Sequence, residues 1–429
     1  MGLLIHNVNL FLNDGPLTTS SGLAVAVEGH EIQEVGSEAA LKARYPRYRW
    51  LDGGGRLLMP GLINVHMHFY STFARGLQLP HTPRNFAEVL QMLWWKLDAS
   101  LDLEAVYYST LLPALVAVRS GVTAVIDHHA SYGAIEGSLE AVEQALEQVG
   151  LRGLLCFEVS DRHGPEARRQ ALEENERYLA RCARRRKEAP DFPFDGLVGL
   201  HASFTLEEET LEAAADLSRR TGQGCHIHVL EDPVDGEETR RKFGRGVVER
   251  LREKDILNER SLAAHCIHLE EGEAQLLAES GTMVAHNPQS NMNNAVGRAD
   301  VPGLLSRGLA VGLGTDGMSG NLNHDVRTAF LLHRFALNNL GMGWQEIPEM
   351  LFRHNPEIYR RLSGRRVGRI EAGYLADLIL VDYYPPTPMS EDNFFGHFLF
   401  GIMDARVHTS IINGRVVMED YRIPGIEEA

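Results

Sequence analysis

Apolar and polar positions alternate in two different rhythms along the chain. Near the start, "LLIHNVNLFL" and "LAVAVEGHEIQEVG" are short runs of strand formers, with Asp14-Gly15 and Glu28-Gly29 as turn signals. Near the end, "YLADLILVDYYPP" and "HTSIINGRVVMED" repeat that style. Asn413-Gly414, set between two apolar runs, predicts a two-residue hairpin. Both ends together predict one small β-sandwich domain, built from residues 1–55 and 366–429.

In the middle, short apolar runs recur, each followed by a segment of helical length: "GLINVHMH", "GVTAVIDHH", "RGLLCFEVS", "GLVGLHASF", "GCHIHVLED", "SLAAHCIHL", "TMVAHNP" and "LAVGLGTDG". Strands alternating with helices in this way predict an α/β fold, a (β/α)8 or TIM barrel spanning residues 56–365. Within "TLEEETLEAAADLSRRTG", Thr205 and Glu208 predict a capping box and Gly222 the helix stop; Gly281 ends another helix. The charged stretch "PEARRQALEENERYLARCARRRKEAP" predicts a solvated helix after strand three, without chemistry of its own.

Composition narrows the function classes. An apolar share of 44% and a charged share of 23% are those of an ordinary globular protein. A formal net charge of −16 argues against nucleic acid or an anionic membrane as partner, since both require a basic face. The start "MGLLIHNVNLFLNDG" lacks a basic leader, and no apolar run reaches membrane-spanning length, so the expected location is cytoplasmic. Cys156, Cys182, Cys225 and Cys266 are scattered without a C-x-x-C, which argues against a disulfide framework or a thiolate metal site.

The candidate chemistry sits where the strands end. His66 and His68 end strand one, and alternate residues of a strand share a face, so both imidazoles point the same way. His128 and His129 end strand two, His201 strand four, and His226, His228 and Glu231 strand five. His265 and His268 end strand six, His286 strand seven and Asp316 strand eight. Barrel catalysis takes place at these C-terminal ends. So many imidazoles at one mouth would be costly as packing, because each needs partners when buried. His228 is preferred over His226 as a metal ligand, being nearer the strand end with Glu231 following. Of His128 and His129 at most one can face a pocket, and the choice stays open.

The ordered motifs "PGLINVHMH", "HIHVLE", "AAHCIHL", "HNPQSNM" and "GLGTDG" resemble the amidohydrolase superfamily, and within it the deaminase-type branch of guanine, adenosylhomocysteine and triazine hydrolases. "VIDHHAS" and "FGHFLFGIMDARVHTSIINGRVVMED" look closer still to the SsnA-type aminohydrolases. The resemblance implies His66, His68, His228 and Asp316 as metal ligands, with Asp316 also taking a proton from the attacking water. It implies Glu231 as the acid serving the leaving nitrogen, His265 as a hydrogen-bonding catalytic residue, and His201 as a contact to the substrate ring. His128, His129, Arg75 and His286 complete the candidate substrate contacts, and Phe69, Tyr70, Phe73, Trp94 and Trp95 could stack a planar ring.

Binuclear relatives bridge two ions with a lysine, and none of Lys42, Lys96, Lys187, Lys242 and Lys254 falls at a barrel strand end. One divalent ion per chain is therefore expected, zinc first and iron as the alternative. The H-x-E and P-C-x-x-C pair of the cysteine-ligated zinc deaminases is absent. The expected activity is hydrolysis of a non-peptide C–N bond, deaminating a purine-, pyrimidine- or triazine-like heterocycle with release of ammonia. Ring opening of a cyclic amide or ureide at the same site is the first alternative, and a non-catalytic binding barrel the second. The expected partner is a small heterocycle, and the resemblance also allows a homodimer.

Overall fold

The computed structural model describes residues 2–13 and 19–426; the Asp14-Gly15 turn lies outside them. All eight apolar runs of the middle are strands: β1 (Leu62–Met67), β2 (Val122–His129), β3 (Arg152–Phe157), β4 (Val198–Ala202), β5 (Cys225–Val229), β6 (Leu262–His265), β7 (Met283–His286) and β8 (Val311–Leu313). They form two parallel sheets. One orders β3, β2 and β1, with the short strand Phe194–Gly196 beyond β3; the other orders β4 through β8. The ladder is interrupted at two seams, each crossed by a single parallel bridge, Val159 to Leu200 and Met67 to Asp316. At the first seam Gly199 lets the strands approach, since a Cβ there would lie 2.3 Å from the Phe157 carbonyl oxygen.

The strands read as continuous apolar runs because both of their faces are covered. One face packs on flanking helices such as Leu103–Arg119 and Ser138–Val149, through Val122, Leu155, Val198 and Ile227 among others. With a period of two, Ala124 and Ile126 share a face with His128, and Leu154 and Cys156 share one with Glu158. Each such face is thus apolar along the strand and polar where the strand stops.

Both chain ends contribute to two further sheets. One pairs Leu3–His6 with Leu23–Glu28 and Arg49–Asp52; the other runs from Arg415–Met418 through Val407–Ile412 and Leu378–Val381 to Leu57–Pro60 and Asn9–Phe11. Ile5, Val25 and Ile32 from the first meet Leu10, Leu58, Leu378 and Ile411 from the second in one hydrophobic cluster. The strand Leu57–Pro60 pairs within this terminal assembly, and the chain passes from it to the parallel strands through Gly61. Asn413 (φ 54°) and Gly414 (φ 72°) make the expected hairpin turn.

One predicted helix start is corrected. The helix Glu208–Thr221 is capped at Glu207, not Thr205. Thr205 is drawn away because its hydroxyl bonds the Ala202 carbonyl and His201. The predicted stop at Gly222 (φ 72°) stands. The charged helix after β3 spans Gly164–Glu188 and is solvated on one face only; Ala171, Tyr178, Leu179 and Cys182 are buried. Among the described residues no single helix is long and apolar enough to cross a membrane.

Candidate active site

Three strand ends, of β1, β5 and β6, and the turn after β8 deliver the central cluster. The backbone N–H groups of Thr315 and Asp316 both donate to the His66 carbonyl, at 2.9 and 3.0 Å, and His68 N–H donates to the Asp316 carbonyl at 3.2 Å. Asn64 ties the same seam, its Nδ2 donating to Thr315 Oγ1 at 2.8 Å. The turn holding Asp316 is thereby fastened to β1, with Asp316 in the left-handed region (φ 51°). A non-glycine residue there costs on the order of 1 kcal/mol, and such strain gathers at functional sites. Gly314 is required for this approach, because a Cβ would stand 2.4 Å from Asn287 Oδ1 and 2.6 Å from the His66 carbonyl oxygen.

The carboxylate of Asp316 consequently meets three imidazoles. Its Oδ1 lies 3.0 Å from His68 Nε2 and 3.7 Å from His66 Nε2, and its Oδ2 lies 3.7 Å from His265 Nε2. His68 Nε2 is also 3.2 Å from His228 Nε2. Tautomers follow from the outer nitrogens. His68 Nδ1 donates to the His128 carbonyl at 2.5 Å and His228 Nδ1 to the His201 carbonyl at 2.9 Å. The two Nε2 atoms then carry lone pairs facing each other, which repel unless a positive charge lies between them.

The field agrees with that demand. Burial opposes a charge on His68, yet the hydrogen bond and negative charge of Asp316 outweigh it and raise His68 to about 9. His66 is fully buried, its Nδ1 engaged with His226 Nε2 at 2.9 Å and its Nε2 without a hydrogen-bond partner among the described residues. Ligand atoms of His66, His68 and Asp316 lie within 4.8 Å of one another, and so do those of His66, His228 and His265. Nitrogen donors with one carboxylate, oriented from behind by carbonyls and a further imidazole, suit a divalent metal.

Glu231 follows β5 in the turn before the helix Pro233–Phe243. Its Oε2 is 3.6 Å from His265 Nε2, and its Oε1 accepts from Asn294 Nδ2 at 3.4 Å. Burial raises this carboxyl to about 7; His265 opposes the rise and Asp316 adds to it. Asp316 itself is pushed up by burial but held well below the usual carboxylate range, chiefly by its hydrogen bond with His68. His265, also at positive φ (73°), turns Nδ1 to Asn291 Oδ1 at 2.8 Å.

A cavity of about 350 Å³ opens onto this cluster, with His68, His228, Glu231 and Asp316 in its wall. His201 and Arg75 line it too, as do Tyr70, Trp94 and Trp95. His201 donates from Nδ1 to Thr205 Oγ1 at 2.7 Å, and burial lowers its pKa to about 4, which leaves Nε2 an acceptor. Phe69 is fully buried in the core instead.

The remaining candidate histidines lie outside the cavity lining. His128 turns toward the cluster, its ring 4.7 Å from that of His228, while His129 turns away and donates to or accepts from Ser131 Oγ at 2.8 Å. Neither lines the cavity. His286 does not reach it either: its Nε2 faces His333 Nε2 at 3.1 Å, beneath the helix Leu322–Leu337. The parity of β7 points this ring away from the mouth. Two charged wall residues escaped the sequence reading, Glu158 and Arg162. The only available signal was the position of Glu158, on the same face as Leu154 and Cys156 just past the end of β3.

Comparison with known proteins places the chain. The model of the amidohydrolase family matches residues 57–417. The chain belongs to the amidohydrolase family. This amidohydrolase is 31% identical over 437 residues to a 5-methylthioadenosine/S-adenosylhomocysteine deaminase of Pelotomaculum thermopropionicum, covering 99% of this chain and 95% of that protein. It is 31% identical over 435 residues to a 5'-deoxyadenosine deaminase of Methanosarcina mazei, covering 99% and 95%. In fold it is similar to an adenosine deaminase from Xanthomonas campestris with bound zinc, at a TM-score of 0.82 and 23% identity, covering 99% and 94%. A guanine deaminase from C. acetobutylicum with bound guanine gives a TM-score of 0.80 at 17% identity, covering 97% and 100%. Family and relatives together support an aminohydrolase-type enzyme that uses a divalent metal.

Proposed function

We propose that this amidohydrolase deaminates a nitrogen heterocycle of purine, pyrimidine or triazine type, releasing ammonia, with one zinc ion per chain held by His66, His68, His228 and Asp316. The observation that carries this reading is the convergence of His68, His228, Asp316 and Glu231 on one wall of a cavity of about 350 Å³, a volume suited to a small planar ring. Zinc bound there would supply Lewis acidity, bringing the pKa of a water toward neutrality.

The chain's own groups supply the proton traffic. Water adds to the amino-bearing ring carbon, and its proton passes to Asp316, whose carboxyl is held ionised. Glu231, raised to about 7 by burial, keeps a proton near neutral pH and delivers it to the adjoining ring nitrogen. His265, fixed from behind by Asn291, hydrogen-bonds the adding oxygen. The proton held by Asp316 then passes to the amine, the C–N bond breaks and ammonia leaves with the bonding electrons, while the hydroxyl proton returns to Glu231 and a ring carbonyl remains. Tyr70, Trp94 and Trp95 stack the ring, and Arg75 and His201 contact its periphery.

At the level of architecture, the reading is a closed (β/α)8 barrel over the middle of the chain, carrying a two-sheet domain made from both ends. Supporting it are the bridges at both seams and the shared cluster of the terminal sheets. The test is ammonia release by zinc-loaded protein over a panel of purines, pyrimidines, triazines and pterins, with Asp316→Asn as the blank. Ammonia that appears for one ring class and vanishes in the variant is the expected result; a stoichiometric metal with no ammonia from any ring would remove the proposal.

A further inference from the structure

Glu158 and Arg162 in the cavity wall, with Asp98 buried behind them, form a chain of acidic and basic groups that the reaction above leaves unused. Glu158 is 3% exposed; its Oε1 accepts from Arg162 Nη1 at 3.4 Å and its Oε2 faces His128 Nδ1 at 3.4 Å. A carboxylate has about four acceptor positions, so capacity remains. Ligand atoms of Glu158, His68, His128 and His228 all lie within 4.8 Å of one another, so this acceptor stands directly beside the metal cluster. Arg162 extends the chain. Its guanidinium bonds Asp98 and stacks over the rings of Trp95 at 5.4 Å and Tyr132 at 4.6 Å. Arg162 lines the cavity, and its two Nη atoms carry more N–H groups than the bonds to Glu158 and Asp98 use. The wall therefore offers an acceptor next to the reacting centre, and donors one step further along.

A planar ring with its reacting carbon at His68 and His228 sets the neighbouring ring atom against the Glu158 carboxylate. A ring N–H there donates a hydrogen bond to a charged acceptor. A bare ring nitrogen sets lone pair against lone pair, away from water, where the mismatch counts most. The next ring position meets the Arg162 guanidinium and calls for a carbonyl oxygen. We propose, granting the deaminase reading, that the cavity selects rings in which the amino-bearing carbon adjoins an N–H followed by a C=O. This is the 2-amino-4-oxopyrimidine edge shared by guanine and pterins; the 6-aminopurine edge presents a bare nitrogen instead. Water supplies the new 2-oxo oxygen and ammonia leaves, while Glu158 holds the ring N–H and takes no proton. The relatives above carry adenosine-type names, so the proposal gives this chain a ring class other than theirs.

The test measures ammonia release by zinc-loaded wild type and Glu158→Gln on guanine and pterin against adenine, adenosine and 5'-deoxyadenosine. Binding of xanthine and of adenine is followed in parallel by calorimetry. The expected result is a kcat/KM for the 2-amino-4-oxo rings at least about ten-fold above that for the 6-aminopurines, cut about ten- to a hundred-fold by Glu158→Gln. A preference for 6-aminopurines that Glu158→Gln leaves unchanged overturns the inference while deamination stands. No ammonia from any ring, with xanthine bound by wild type and at least ten-fold weaker in the variant, overturns the deaminase reading and keeps the recognition edge. Neither ammonia nor binding overturns both. Should Glu158→Gln fail to fold, the wild-type ratio between ring classes still decides, and Arg162→Lys tests the carbonyl side through weakened xanthine binding.

Discussion

At the scale of single residues, the proposed reaction gives Glu231 a proton-transfer role apart from metal binding. Its carboxyl lies against His265 and Asn294 and is absent from the histidine pair that meets at 3.2 Å. Glu231→Gln should therefore keep its zinc through dialysis while losing about 10²- to 10⁴-fold in kcat, the usual range for a general acid. His228→Ala should instead lose the metal itself, read by metal analysis. The His286–His333 pair gives a stability prediction away from the site. Burial lowers His333 to about 4, with Arg298 adding to the effect, and its unfolded value is about 6.5. The unfolded chain thus binds the extra proton first, and stability is lost as pH falls from about 6.5 toward 4. His333→Gln should flatten that part of the melting-temperature profile; an unchanged slope would remove the assignment. What was legible follows from these same residues. His66, His68, His228, Glu231, His265 and Asp316 could be read because a strand's period and its C-terminal end fix where a side chain goes. The contact of Arg162 with Asp98 joins residues 64 apart and left no local trace.

At the scale of elements, the segment after β7 acts as a positioning unit. Within the helix Pro288–Asn293 and the residue behind it, Ser290 bonds Asp316, Asn291 accepts from His265, and Asn294 donates to Glu231. Asn291→Ala should lower kcat about ten-fold with KM and zinc content little changed, since it frees a ring without removing a ligand. The turn after β8 is the second such device. Gly314→Ala would force a methyl against Asn287 and the His66 carbonyl, and should cost about 1–3 kcal/mol in denaturant unfolding together with weaker zinc retention. The motif "GLGTDG" marked this glycine in the sequence, but its reason lies in the approach to β1, which only the fold supplies. Thr205 shows the opposite case, a correct local capping pattern overridden because His201 claimed its hydroxyl.

At the scale of the whole molecule, one buried ion pair fastens the terminal sheets to the parallel strands. Arg152, fully buried at the start of β3, donates to both oxygens of Asp377, at 2.7 and 3.0 Å, and to Asn413 Oδ1 at 2.9 Å. Asp377→Ala would leave a guanidinium unpaired in the interior and should cost about 3–5 kcal/mol, seen as a lower denaturant midpoint. That both chain ends supply strands to one shared sheet was visible in the two β-rich rhythms. The Met67–Asp316 seam and this clamp were not, because they join partners more than 200 residues apart. The placement of the tryptophans gives the molecule an optical readout of its own. Of the four in the chain, Trp94 and Trp95 line the cavity, whereas Trp50 and Trp344 are 46% and 41% exposed. Iodide should silence the outer pair and leave emission from the inner pair. A ring entering the cavity would then quench the remaining light, so that a bound compound announces itself in a cuvette before any product is assayed.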